Sequence, residues 1–339
     1  MRTRHWSATS RSITCAALVA SVLLLPVAVR GADKYAAEFL KIGAGARALG
    51  LGGGFTALAD DASAVYWNPA GLLFLDSSEL LVMHSEHFGT LANYDFAAFA
   101  QPIDQGARSS SVGLALVRFA VDDITVTRDA YVDENDNGQY DEGEPIDPDR
   151  FYRDSDTEYA VFLTYATRLR PAWLVGGSAK LIRQDLLGTT SFGMGLDLGL
   201  IYLPSPSLTF GVQLSDVTTT QISWDTGRRE VVAPSIKVGT AYSRAVAPLQ
   251  GHVTVTADLG FNFEGREEAS QFASGSVGGD LLGGVEYWIQ RTLALRVGTQ
   301  AGDFTAGAGI RYRGIGVDYA FVPHEDLNDS HRVSASLQF

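Results

Sequence analysis

The chain closes on Val333-Ser334-Ala335-Ser336-Leu337-Gln338-Phe339. In an extended segment Val333, Ala335, Leu337 and Phe339 share one face, and Ser334, Ser336 and Gln338 share the other. Termini of soluble domains are usually polar and frayed. This one alternates to its last residue and ends on an aromatic. Such an ending suits a strand with an apolar medium on one side and a polar one on the other.

The same two-residue period recurs after about the first 75 residues. Val253, Val255, Ala257, Leu259, Phe261 and Phe263 oppose Thr254, Thr256, Asp258, Gly260 and Asn262. Phe192, Met194, Leu196, Leu198, Leu200 and Tyr202 oppose Gly193, Gly195, Asp197 and Gly199. Fourteen such segments are expected, over 78–88, 91–103, 108–122, 157–170, 173–185, 190–204, 207–220, 234–247, 250–264, 281–290, 292–301, 304–313, 315–323 and 331–339. Transmembrane strands need about 9–11 residues, whereas soluble strands average about 5–6. In hydrocarbon an unpaired backbone N–H or C=O costs several kcal/mol, so strands cross only as a closed ring. The expected fold is therefore all-β, a 14-stranded antiparallel transmembrane β-barrel. Leu, Val, Phe and Tyr face lipid, and Gly, Ser, Thr, Asp and Arg face the lumen. Asp258, Asp318, Arg311, Arg313 and Arg332 are expected inside, and Tyr202, Tyr287 and Trp288 at the membrane interfaces.

Connections are short on one side, as at 169–172, 203–207, 247–250, 290–291 and 314, and long on the other, at 123–156, 216–233, 265–280 and 324–330. That asymmetry is expected of outer-membrane barrels, with both chain ends on the periplasmic side. A large soluble β-sandwich or β-helix would hide one face of every strand and leaves the asymmetry unexplained.

At the other end Arg2, Arg4 and Arg11 precede an apolar run from Ile13 to Val29. This reads as a secretory signal peptide over 1–31, cleaved after Gly31. The run is short of the ~20 residues of a spanning helix. Cys15, the one cysteine, falls within it, so neither disulfide, thiolate metal site nor cysteine nucleophile is expected in the processed chain. Removing Arg2, Arg4, Arg11 and Arg30 leaves 22 basic against 39 acidic residues. That balance argues against a nucleic-acid partner.

Residues 32–76 do not alternate. Gly43, Gly45, Gly50, Gly52, Gly53 and Gly54 allow close backbone approach, and Asp60 or Asp61 can cap a short helix that ends by Asn68, before Pro69. Phe39, Leu40, Ile42, Leu49, Leu51, Phe55, Val65, Tyr66 and Trp67 are too apolar to leave in water. The segment is expected to fold into the lumen as an N-terminal plug, ahead of a barrel over 77–339.

The elements G-A-R-A-L-G-L-G-G-G (45–54), A-D-D-A-S (59–63) and W-N-P-A-G-L (67–72) resemble the N-terminal signature of PorV/PorQ-type outer-membrane proteins. That group is in turn similar to the FadL-type long-chain fatty-acid transporters. The close match covers about a tenth of the chain. The resemblance implies passive transport of hydrophobic small molecules across the outer membrane or, alternatively, docking and shuttling of an exported protein in type IX-like secretion. It marks Asp60, Asp61, Asn68, Pro69 and Gly71 as structural residues of the plug. It also implies that Phe339 is read by the barrel-assembly machinery.

Within the long acidic loop, Asp133 to Glu144 reads D-E-N-D-N-G-Q-Y-D-E-G-E and fits the calcium-loop pattern D-x-[DN]-x-[DN]-G-x5-E. Asp133, Asn135, Asn137 and Asp141 would offer side-chain oxygens, Gln139 its carbonyl and Glu144 a bidentate carboxylate, with Gly138 at the turn. The flanking helices of an EF-hand are absent, so the expectation is a weak Ca2+ clamp that orders an external lid. No organic cofactor is expected. His84-Ser85-Glu86-His87 suggests a hydrolase, but in a strand His84 and Glu86 point away from Ser85 and His87. The chain is read as a non-enzyme.

Overall fold

The computed structural model describes residues 36–339 except 88, 90, 105–108, 129, 136, 248–249, 264–269 and 324–328. The expected signal peptide, its cleavage after Gly31 and Cys15 lie outside the described residues, as do positions 32–35 of the expected plug. No described helix is long and apolar enough to cross a membrane.

The strands are β1 (Glu79–His87), β2 (Ala92–Asp104), β3 (Ser110–Val126), β4 (Tyr152–Arg170), β5 (Trp173–Leu186), β6 (Thr189–Ser205), β7 (Leu208–Ser215), β8 (Thr220–Trp224), β9 (Arg229–Val232), β10 (Ser235–Val246), β11 (Gly251–Asn262), β12 (Phe272–Ser274), β13 (Val277–Ile289), β14 (Leu293–Gln300), β15 (Asp303–Tyr312), β16 (Ile315–Val322) and β17 (Ser330–Gln338). Among the described residues fourteen of them form a closed antiparallel ring. β1 to β7 pair in sequence, β7 pairs β10, β11 pairs β13, and β17 returns to β1 with Glu79 opposite Gln338. Closure leaves the fourteen-strand ring without an edge strand, while β9 and β12 pair on one side only, with β8 and β13. At one end the two-residue turns Gln290-Arg291 and Arg313-Gly314 have positive φ at both positions, the geometry that matches strand twist. The 127–151 connection lies at the opposite end.

Alternation sets the outer face. Phe192, Met194, Leu196 and Leu198 of β6 are exposed, while Asp197 between them is buried; Val333 and Leu337 of β17 are exposed, while Ser334 and Ser336 are buried. Phe339 stacks on Phe99 with ring centres 6.4 Å apart, and its N–H donates to the Ser78 carbonyl.

Three expectations are corrected. The segment expected as one strand over 207–220 stops at Ser215. Asp216 and Thr219 take positive φ, and β8 then runs beside the upper part of β6, with Ser191 opposite Trp224. The inner face is not uniformly polar. β11 to β17 carry Thr256, Asp258, Glu286, Arg296, Asp318 and Arg332 inside, but β1 to β5 bury Leu81, Met83, Tyr94, Phe96, Val117, Phe162 and Ile182. This apolar wall is covered by residues 36–75 rather than by water. Third, Trp288 and Arg313 change places. Trp288 shares the inner face of β13 with Glu286, and the guanidinium carbons of Arg296 and Arg311 stand 5.5 and 5.2 Å from the centre of its ring. Arg313 is exposed in its turn.

Candidate functional site

The site forms where the leading segment meets the inner wall. Two short helices, α1 (Ala46–Gly50) and α2 (Ala64–Trp67), precede a 3-10 turn at Pro69–Phe74. Asp61 Oδ1 accepts from the Ser63 N–H at 2.9 Å and so organises the entry to α2. The helix ends where expected. Asn68 is extended, and its Oδ1 accepts from the Ala70 N–H at 3.2 Å. The Asn68 amide also donates to the Thr56 carbonyl at 2.7 Å, tying the two halves of the segment together.

Arg47 of α1 is buried and makes a forked ion pair with Glu286 of β13, Nε and Nη2 each 2.9 Å from a carboxylate oxygen. Its Nη1 reaches Asp60 at 2.5 Å and Asp61 at 3.5 Å. Arg296 donates to Glu286 and to Asp318, both at 2.7 Å. Asp60 and Asp61, carried over as plug residues, thus belong to one charged cluster that joins the segment to three strands. Backbone groups add to it. The Ala46 N–H donates to Ser334 Oγ at 2.8 Å and the Thr56 N–H to Asp258 Oδ2 at 2.8 Å, while Arg332 donates to the Ile42 carbonyl at 2.8 Å. These donors would otherwise be unpaired in a low-dielectric interior.

Close approach explains the inner glycines. A Cβ on Gly199 of β6 would overlap Asn68 Oδ1, and one on Gly71 would overlap the Ala59 carbonyl. Pro69 contacts the backbone at Gly176 of β5 in the same way. On the apolar side Tyr66 sets its ring edge-on to Trp67, Phe96 and Phe162 at 5.0, 6.5 and 6.3 Å.

Between the segment and the long-loop end of the barrel lies a cavity of about 280 Å³. Tyr66, Trp67, Phe162 and Leu282 supply its apolar lining. Three lysines also line it, and they differ; Lys41 is paired with Glu38 at 3.2 Å. Lys180 is pinned between Asp197 at 3.0 Å and Asp216 at 2.6 Å. Lys237 holds its ammonium 4.9 Å from the centre of the Trp67 ring and forms no ion pair with a described residue. The site can therefore take an apolar body and offer it one available cation.

The other sequence candidates are separate. In the acidic loop Asp133 accepts from the N–H groups of Asn137 and Gly138 at 3.1 and 2.7 Å. Glu144 accepts from Glu134 and Asp141 at 3.1 and 3.0 Å, and Asp141 accepts both the Asn135 and Asn137 amides. The Asn137 side-chain oxygen accepts from the Gln139 N–H at 2.7 Å. The donor set has the hard oxygens calcium prefers, but here those oxygens serve the loop's own N–H groups. No described group of three or more His, Cys, Asp or Glu stands as a metal site. His84 and Glu86 point outward and Ser85 and His87 inward, as period two requires.

Sequence reasoning missed Arg47, Glu286, Arg296, Lys180, Asp216 and Lys237 as working residues. The available signal was charge on the inner face of otherwise apolar strands.

Comparison with solved structures places the fold. The chain aligns with the Ralstonia pickettii toluene transporter TbuX at a TM-score of 0.54 and 14% identity, over 88% of this chain and 98% of that one. It aligns with a Pseudomonas aeruginosa FadL homologue at 0.53 and 12%, over 87% and 98%. With the Pseudomonas putida toluene transporter TodX the values are 0.52 and 14%, over 87% and 96%. The fold is shared with FadL-type barrels. The model of an uncharacterised protein family (UPF0164) matches residues 26–122. No curated protein sequence matches the chain.

Proposed function

We propose that this chain is an outer-membrane barrel through which a hydrophobic small molecule passes passively, residues 36–75 acting as the plug. The observation that carries the reading is the cavity between that segment and the long-loop end, walled by Tyr66, Trp67 and Phe162 beside Lys237. A solute entering from outside would rest there, its apolar body on the aromatic rings and any anionic group at Lys237. Onward movement needs the segment to shift, and the Arg47–Glu286 cluster is what resists that shift. The fold neighbours named for toluene and for FadL support transport rather than catalysis.

The test is uptake by proteoliposomes of the purified barrel, using a labelled alkane, toluene and a long-chain carboxylate. Influx above empty liposomes for at least one is the expected result. Absence of influx for all three counts against transport.

A second reading, docking of an exported protein in the manner of the PorV/PorQ branch, rests on the long acidic connection between β3 and β4. It exposes Tyr140, Ile146 and Phe151 among its carboxylates. Co-purification of a surface protein, together with no uptake, would favour it. In either case the 133–144 loop is proposed to take Ca2+ in exchange for its internal hydrogen bonds, and Phe339 to serve as the assembly signal.

A further inference from the structure

The cavity has two unlike walls. Tyr66, Trp67 and Phe162 form the apolar one. The other is an arc of inward positions at the long-loop end of β10, β11, β13 and β14, which pair in that order. Lys237 of β10 stands opposite Gly260 of β11, and Gly260 stands opposite Asp280 of β13. Asn262 ends β11, and Gln300 ends β14 opposite Leu282. Period two turns both inward, because Asp258 and Arg296 on the same strands are buried inside. Lys237, Asp280, Asn262 and Gln300 all line the cavity. A Cβ on Gly260 would come no nearer than 3.8 Å to another atom, that atom being Lys237 Cγ, so the space between Lys237 and Asp280 is open.

This arc is richer in acceptors than in donors. Asn262 spends its amide nitrogen on Ser270 Oγ at 3.1 Å, and its Oδ1 is buried without a hydrogen-bond partner. Gln300 Oε1 is buried in the same state. Asp280 accepts the Gln271 N–H at 3.0 Å through one oxygen and adds its carboxylate to the same side. Against these stands the ammonium of Lys237. Buried polar groups in folded proteins nearly always have a partner, and an acceptor left without one has given up its hydration for nothing. A hydrocarbon cannot supply the missing donor. An ionised carboxylate answers Lys237, but it brings acceptors only.

We infer that the solute is a carboxylate amphiphile that carries a hydrogen-bond donor, a hydroxyl or an amide N–H, next to its carboxylate. The carboxylate takes Lys237. The donor takes the side-chain oxygen of Asn262 or Gln300. The apolar chain lies on Tyr66, Trp67 and Phe162. Selectivity then follows from the unpaired oxygens, because a site with buried acceptors rejects a molecule that lacks the matching donor. The inference rests on the reading of the cavity as the place where a transported solute pauses.

Binding is measured by titration calorimetry on the protein in lipid nanodiscs, with empty nanodiscs subtracted. Two matched pairs of acids are compared: 2-hydroxyoctanoate with 2-methoxyoctanoate, and N-hexanoylglycine with its N-methyl counterpart N-hexanoylsarcosine. In each pair methylation removes the donor and keeps the carboxylate and the chain. In at least one pair the acid with the donor should bind about tenfold tighter, the effect of pairing one buried acceptor. The pair that shows the gap tells hydroxyl from amide. Asn262→Leu combined with Gln300→Met should close the gap and leave the methylated acids unchanged. Should that variant not fold, judged by heat-modifiable gel mobility, the pairs on the unaltered protein decide. Equal binding within both pairs, or binding of none of the four acids, overturns the inference. Toluene influx into proteoliposomes is followed in parallel. Influx without any preference between the acids sinks this inference alone, whereas no influx of toluene or of any of the four acids sinks the transport reading.

Discussion

Arg47 and Glu286, 239 residues apart in the chain, face each other inside the barrel through two bonds of 2.9 Å. A planar guanidinium matches a carboxylate in this way, and lysine cannot. The pair joins the leading segment to the wall on the side where the inner face is charged, while Tyr66 joins it to the apolar side.

Arg47→Ala should therefore destabilise the protein by roughly 3 kcal/mol, because a buried carboxylate loses one of its two cationic partners. Arg47→Lys should recover only part of that loss. Equilibrium unfolding by guanidinium in detergent micelles measures both. An unchanged midpoint for Arg47→Ala would mean that Arg296 alone satisfies Glu286.

Gly199→Ala tests the fit of the segment rather than its charge. A strand tolerates alanine, but the new methyl overlaps Asn68 Oδ1. The expected penalty is about 1–3 kcal/mol, typical of overpacking. It should appear as faster proteolysis within 36–75, with the strands still protected. Gly177→Ala on the outer face, where the nearest atom would be 3.4 Å from the new Cβ, is the control and should change nothing.

Lys237→Met removes the available cation and keeps the length of the side chain. Uptake of a carboxylate-bearing solute should fall about tenfold, the effect of one charge-assisted contact. Uptake of toluene should not change. Equal loss for both solutes would show that Lys237 shapes the cavity rather than recognising charge.

Calcium should slow cleavage of the 133–144 loop by an added protease, and the double variant Asp133→Ala, Glu144→Ala should be cleaved equally fast with and without it. Protection that survives in the double variant would place the ion elsewhere.

The strands were legible because a period of two is written into residues such as Phe192 to Leu200, where apolar side chains alternate with glycine and aspartate. Their number and loop asymmetry follow from that pattern. The short helix ending at Trp67 was legible from Asp61 and Pro69, which act locally. Three things were not. Leu81, Met83 and Phe96 look like any apolar strand residues, and nothing local says that their side of the sheet is covered by protein. The break of β7 after Ser215 depends on Asp216 being drawn to Lys180 and Thr220, a tertiary effect. The Arg47–Glu286 pair joins segments whose proximity only the closed ring creates.

The pairing of β1 with β17 imposes an order on biogenesis. Glu79 waits for Gln338, so the seam seals only after the last residues have been delivered. Ser334, which accepts from the Ala46 N–H, lies on that final strand. The amino-terminal part must therefore be held inside a still-open sheet and clasped as the cylinder zips shut. Contacts of such long sequence separation make for slow maturation. A product cut before Ser334 would lose that clasp on Ala46 and leave β1 without its β17 partner.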